Sequence, residues 1–184
     1  DSNRAAPPAA GTGVSTEIKG EGGAAHLTSV GVVHFSNCSF GSNGARSGGA
    51  LAAIASTTLE LSGATITNNS ATINGGGVMV VLGTLHSTAD TYENNSAMAG
   101  GAAFFLSSDA AISNATARFN SAGSSGGALE CSNSAASVQS STFVANRAPR
   151  GIGGGLTLRS QSEASVRGSA FEENSAANGA ALAV

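Results

Sequence analysis

The chain has 184 residues, among them 26 glycines, one tyrosine and no tryptophan, and only 10% of its residues are charged. A net charge of -3 with no basic run leaves it without the clustered positive footprint that nucleic-acid binding requires. No stretch reaches the roughly 18 apolar residues of a membrane span, so membrane insertion by this segment is not expected, and an apolar fraction of 41% drawn largely from alanine suits a narrow interior better than a wide core.

Residues 1–20 carry Pro7-Pro8 and no repeat marker, and read as an N-terminal arm ending in a partial capping strand around Val14–Ile18. Asp1 to Pro8 has no apolar h-region, so any targeting segment is expected outside this chain. Residues 21–184 read as one repeat domain. A glycine step recurs from Gly22-Gly23-Ala24 through Gly48-Gly49-Ala50, Gly75-Gly76-Gly77, Gly100-Gly101-Ala102, Gly126-Gly127-Ala128 and Gly153-Gly154-Gly155 to a degenerate Asn178-Gly179-Ala180. Successive starts differ by 26, 27, 25, 26, 27 and 25 residues.

Two further signals keep the same phase. An apolar residue stands three positions before an asparagine at Phe40/Asn43, Ile66/Asn69, Tyr92/Asn95, Phe143/Asn146 and Phe171/Asn174. The remaining copy is Ala117/Asn120, where Phe119 is expected to fill the space that Ala117 leaves. Five positions before these anchors stand Phe35, Leu61, Ser87, Ile112, Val138 and Val166. This locked spacing argues against disorder, which a chain so rich in Gly, Ala and Ser otherwise invites.

Within a repeat no 3.6-residue period appears. The copy from Gly48 holds three short runs, Leu51–Ile54, Thr58–Leu61 and Ala64–Thr67, followed by the turn Asn68-Asn69-Ser70. The fold class expected is therefore all-β: a right-handed, single-stranded parallel β-helix of six to seven coils, each of about 25–28 residues with three short strands. In such a solenoid, equivalent residues stack about 4.7–4.9 Å apart. The anchors would form one internal apolar row. Asn43, Asn69, Asn95, Asn120, Asn146 and Asn174 would form a structural ladder whose amides bond the next coil.

The pairing of Gly-Gly-Ala-Leu with Phe-x-x-Asn resembles the repeat of the chlamydial polymorphic outer membrane proteins. It is carried by Gly48-Gly49-Ala50-Leu51, Gly126-Gly127-Ala128-Leu129, Phe40-Gly41-Ser42-Asn43, Phe143-Val144-Ala145-Asn146 and Phe171-Glu172-Glu173-Asn174, and extends over residues 22–184. The resemblance implies a cell-surface β-helix passenger, often an adhesin carried by an autotransporter barrel. Similar repeats occur in other secreted proteins, so the motif specifies fold better than function.

Polysaccharide lyases and hydrolases with this fold resemble one another in clustering Asp with Arg or Lys on adjacent coils. Here Asp90 and Asp109 fall at different repeat phases and Glu130 and Glu163 on different faces, so no shared cleft with paired carboxylates is expected. His26, His34 and His86 are read as solvated surface side chains at unrelated phases, so no metal site and no cofactor are expected. Cys38 and Cys131 lie about four coil rises apart, near 19 Å by strand spacing, too far for a disulfide. Both are expected as free thiols, with Cys131 inward. The pair Thr65/Thr67 is followed by Thr91/Glu93 and Thr142/Val144, which does not read as a sustained threonine row for binding ice. Four N-glycosylation sequons begin at Asn37, Asn68, Asn94 and Asn114; the abundance of Asn and Ser makes most of them accidental, and they matter only in a eukaryotic secreted protein.

One surface feature stands out. Alternation on the strand after each double glycine turns Ile54, Met79, Val81, Phe104 and Leu106 outward as a single apolar patch, a candidate interaction site. No polar cap follows Val184, and the domain is expected to be a piece of a longer solenoid. The expected function is a non-enzymatic, secreted or cell-surface scaffold, adhesin-like, engaging a protein, a cell surface or its own copies. The alternatives are a module of an extracellular filament or wall, and a carbohydrate-active β-helix.

Overall fold

The computed structural model describes residues 20–184; the expected arm and its capping strand around Val14–Ile18 lie outside the described residues. Each coil contributes one strand to each of four parallel sheets. The first coil holds β1 (Ala25–Thr28), β2 (Val32–Ser36), β3 (Ser39–Gly41) and β4 (Gly44–Ser47). The second holds β5 (Leu51–Ile54), β6 (Thr58–Ser62), β7 (Thr65–Thr67) and β8 (Ser70–Asn74). The third and fourth run through β9 (Val78–Val81), β10 (Thr84–Thr88), β11 (Thr91–Glu93), β12 (Ser96–Ala99), β13 (Ala103–Leu106), β14 (Asp109–Ser113), β15 (Thr116–Arg118) and β16 (Ser121–Ser125). The fifth and sixth comprise β17 (Leu129–Ser132), β18 (Ala135–Gln139), β19 (Thr142–Val144), β20 (Arg147–Ile152), β21 (Leu156–Arg159), β22 (Glu163–Arg167), β23 (Ala170–Glu172) and β24 (Ser175–Asn178). A last strand, β25 (Leu182–Ala183), extends the first sheet to seven strands, while the other three have six.

The three runs read from the sequence in the second coil are β5, β6 and β7. The fourth strand, β8, begins on the last residue of the expected asparagine turn. Its register slips against both neighbours, because it carries more residues than β4 or β12. That irregularity hides its alternation in the sequence.

The internal row is present. Phe40, Ile66, Tyr92, Ala117, Phe143 and Phe171 pair in register across the third sheet, and Ile66, Tyr92, Ala117 and Phe143 are buried in the core. Phe143 and Phe171 stack face to face with centroids 4.6 Å apart. Phe35, Leu61, Ser87, Ile112, Val138 and Val166 form the parallel row of the second sheet. Phe119, however, does not fill the space beside Ala117. It sits at a turn with φ of 57° and is 50% exposed, so its ring points away from the tube. The phenyl group that the same coil gives to the interior is Phe105, which is fully buried in the cluster containing Ala117.

Each corner is a polar ladder solved in its own way. At the corner between the third and fourth sheets, the main-chain N–H and the side-chain amide of each asparagine both donate to Oδ1 of the asparagine one coil on, from Asn43 through to Asn174. The amide also donates backwards to the carbonyl of an anchor, as Asn95 does to Ile66 at 2.8 Å. Serine hydroxyls do the same work between the first and second sheets: Ser108 N–H donates to Ser134 Oγ, and Ser134 N–H to Ser162 Oγ, each at 3.1 Å. Between the second and third sheets the acceptors are Asp90, Ser141 and Ser169.

The fourth corner relies on paired glycines. Gly100 has φ of 64°, and a Cβ on Gly101 would overlap the carbonyl oxygen of Gly127 in the next coil. The coils approach so closely there that only hydrogen fits.

Candidate functional site

The glycine corner folds the first and fourth sheets towards each other on the outside of the tube. Along the first sheet, two outward files face that angle. One is His26, Ala52, Met79, Phe104, Glu130 and Thr157; the other is Thr28, Ile54, Val81, Leu106, Ser132 and Arg159. The residues expected as an interaction patch do share one outward face, but most are not open to water. Ile54, Met79 and Phe104 are only 7%, 3% and 7% exposed, and they form with Ala52 and Ala99 an apolar cluster separate from the tube core. Val81 packs against this cluster, and Leu106 is 38% exposed. The fourth sheet covers the others, because the paired glycines of the corner have no side chain to hold the two sheets apart.

What remains is a groove of about 220 Å³ with Ile54, Met79, Val81, Phe104 and Leu106 on one side and Ile73 of β8 opposite. Glu21 and Arg46 also line it. Glu21 Oε2 is buried without a hydrogen-bond partner among the described residues. Burial raises the pKa of this carboxyl, and the charge of Arg46 opposes the shift. Beyond the fourth coil the same files turn polar. Glu130 accepts a hydrogen bond from the Ser125 hydroxyl and pairs with Arg159 at 3.4 Å, and Thr157 Oγ1 donates to the Ile152 carbonyl at 2.9 Å. The groove is apolar in its middle and has charged groups towards both ends.

The histidines are not at unrelated phases. His34, Glu60 and His86 pair in register on adjacent strands of the second sheet. Glu60 accepts from His34 Nδ1 at 2.8 Å and stands 3.9 Å from His86 Nδ1. The equality of phase was masked because His34 stands 12 positions after its glycine step at Gly22, and His86 only 11 after its own at Gly75. His26 lies on the first sheet with Nε2 3.0 Å from the Thr28 hydroxyl, and burial lowers its pKa. Among the described residues, no three His, Cys, Asp or Glu side chains converge as a metal-holding group.

Two carboxylates do share a cleft, contrary to expectation. Asp109 and Glu163 stand in one file of the second sheet, separated by Ala135, and both border a groove of about 430 Å³ with His86 at its edge. A second, larger groove of about 910 Å³ runs along the neighbouring corner and includes the same pair. Asp90, by contrast, faces inward. Its carboxylate accepts from Ser87 Oγ at 2.6 Å and from the Ala64 N–H at 2.6 Å, and Ser87 also bonds the Tyr92 hydroxyl at 2.9 Å.

The threonine row is also longer than its first members suggest. Thr65, Thr91, Thr116 and Thr142 form an unbroken file, while the adjacent file of Thr67, Glu93, Arg118 and Val144 is mixed. Cys38 and Cys131 are both free, and Cys131 is buried in the core. No known family, no curated protein and no solved structure matches this chain.

Proposed function

We propose that the chain is a non-enzymatic, extracellular or cell-surface scaffold, adhesin-like, that holds a protein partner in the groove between its first and fourth sheets. The observation that carries this reading is the external apolar groove in which Ile73 and Leu106 stay exposed above the buried Ile54, Met79 and Phe104. The partner fitting it is an extended segment with a bulky apolar side chain. The apolar group would lie between Leu106 and Ile73. The likeness of the repeats to chlamydial polymorphic outer membrane proteins supports a surface location and an autotransporter-type display. The test is binding of fluorescently labelled protein to epithelial cells, together with sedimentation velocity. Val81→Asp and Leu106→Asp introduce charge at the groove without touching the core. Loss of cell binding by the double variant, with its circular dichroism unchanged, is expected. Equal binding by both proteins overturns the reading, and concentration-dependent polymers lost in the variant make a second copy the occupant.

A carbohydrate-active reading has one observation in its favour. Asp109 and Glu163 lie two strand spacings apart, about 9.6 Å between backbones, near the roughly 6.5–9.5 Å separating carboxyls that activate water at a sugar. Release of reducing ends or unsaturated products from polyuronides, abolished by Asp109→Asn, would establish it in place of the scaffold.

A further inference from the structure

The four sequons occupy distinctive positions. Asn37, Asn68, Asn94 and Asn114 all sit at coil corners with φ between 52° and 56°. All four are exposed, whereas the ladder asparagines Asn69 and Asn95, the middle residues of two of these sequons, are buried. The amides of Asn68, Asn94 and Asn114 make no hydrogen bond among the described residues, and that of Asn37 makes only one of 3.3 Å to the exposed Ser36 hydroxyl. The left-handed turn aims each side chain away from the tube, so a bulky substituent there disturbs no ladder. The corresponding hydroxyls of Ser39, Ser70 and Ser96 are exposed, and that of Thr116 is partly so.

We propose that the protein is an N-glycan acceptor carrying three glycans, one on Asn37, one on Asn114 and one shared between Asn68 and Asn94. The inference rests on the extracellular location proposed above, reached through a eukaryotic secretory route and not by autotransporter display. In the transfer, the amide nitrogen attacks C1 of a lipid-pyrophosphate-linked oligosaccharide. A C–N bond forms, the C1–O bond to the pyrophosphate breaks, the lipid pyrophosphate leaves with the bonding electrons, and the amide gives up one proton to a base of the transferase. Asn37 and Asn114 share one corner but stand three coils apart, about 14 Å by strand spacing. Asn68 and Asn94 directly follow Thr67 and Glu93, which pair on adjacent strands. Their backbones are therefore about 4.8 Å apart, too close for two branched oligosaccharides in the folded coil. The glycans would flank the third sheet on both sides and leave the apolar groove open.

The test is secretion of the full chain behind a supplied signal peptide from a mammalian cell line, with intact mass read before and after peptide N-glycosidase. Three glycans per folded chain are expected. Ser39→Ala and Thr116→Val should each remove one, Ser70→Ala or Ser96→Ala alone none, and the last two together one; these changes leave the turn asparagines in place. Any other count, including none or four on a chain with native circular dichroism, overturns the proposal. Because the signal peptide is supplied, failure of glycan acceptance leaves the surface location and the groove reading untouched.

Discussion

Asn69 and Asn95, 26 residues apart, are joined twice: the main-chain N–H and the side-chain amide of Asn69 both donate to Asn95 Oδ1 at 3.0 Å. Asn95 then repeats the pattern towards Asn120. Asn95→Ala would leave the Asn69 donors, the Ile66 carbonyl and a buried cavity unanswered. Each buried unsatisfied group costs about 1–3 kcal/mol, so a loss of at least about 3 kcal/mol is expected in urea unfolding. A change below about 1 kcal/mol, on the same scale of group costs, would mean that the ladder is decorative.

Glycines at the fourth corner and elsewhere should respond differently. A Cβ on Gly101 collides with the Gly127 oxygen and meets main-chain atoms of Ser121 at 2.7 Å. Gly101→Ala is therefore expected to prevent close stacking of the third to fifth coils. Gly41→Ala meets nothing nearer than the Thr67 hydroxyl at 3.6 Å and should be neutral or slightly stabilising. Thermal melts of the two variants check the contrast; equal behaviour would refute it.

Asp90 offers a pH-dependent test. Burial raises its pKa above the ordinary 3.8, while bonds from Ser87 and from the Ala64 and Thr88 main chain pull it back. An acid whose folded pKa is raised binds more protons folded than unfolded. Stability from this group is therefore full at low pH, and is lost as the pH climbs from 3.8 through the raised folded value. A carboxamide at this position has no such proton to lose, so Asp90→Asn should gain stability relative to the native chain between about pH 3.5 and pH 7.5. A difference in urea midpoint that is the same at both values would rule the linkage out.

The two thiols should be separable. Burial and the neighbouring Glu130 carboxylate push the Cys131 pKa up to about 12, and its side chain lies in the core. Cys38 is only partly buried. Ellman's reagent at mildly alkaline pH is expected to titrate one thiol in the folded protein and two in guanidinium. Rapid reaction of both in the native state would show that the tube opens.

Phe119 spends a phenyl group on a left-handed turn that other coils give to Asn68 and Asn94. A non-glycine side chain in that region costs roughly 1–2 kcal/mol, less for asparagine. Phe119→Asn should raise the melting temperature by a few degrees, since about 1 kcal/mol moves a domain of this size by roughly 2–4 °C. A lowered melting temperature would give the exposed ring a packing role.

The coil, the anchor row and the asparagine ladder were legible because each repeats with a fixed partner: Phe143 announces Asn146 and Phe171 announces Asn174. The serine ladders were not, since Ser108 and Ser134 stand among many serines that do nothing comparable. The outward parity of Met79 and Phe104 followed from alternation, but their burial depends on how sharply the glycine corner folds one sheet over another. No local pattern encodes that angle. Pairings such as His34 with His86, or Asp109 with Glu163, were missed because the distance from the glycine step to the second sheet changes by a residue between coils.

Uniform stacking also bears on how such a molecule changes length. Asn74 and Ala99 are register partners, and each is followed by the first glycine of the fourth corner. Excising residues 75–99 would join Asn74 to Gly100 at an equivalent backbone step, bringing the second coil against the fourth with the asparagine ladder continuous. Recombination between repeats can therefore shorten or lengthen the rod by whole turns, without inventing a new interface.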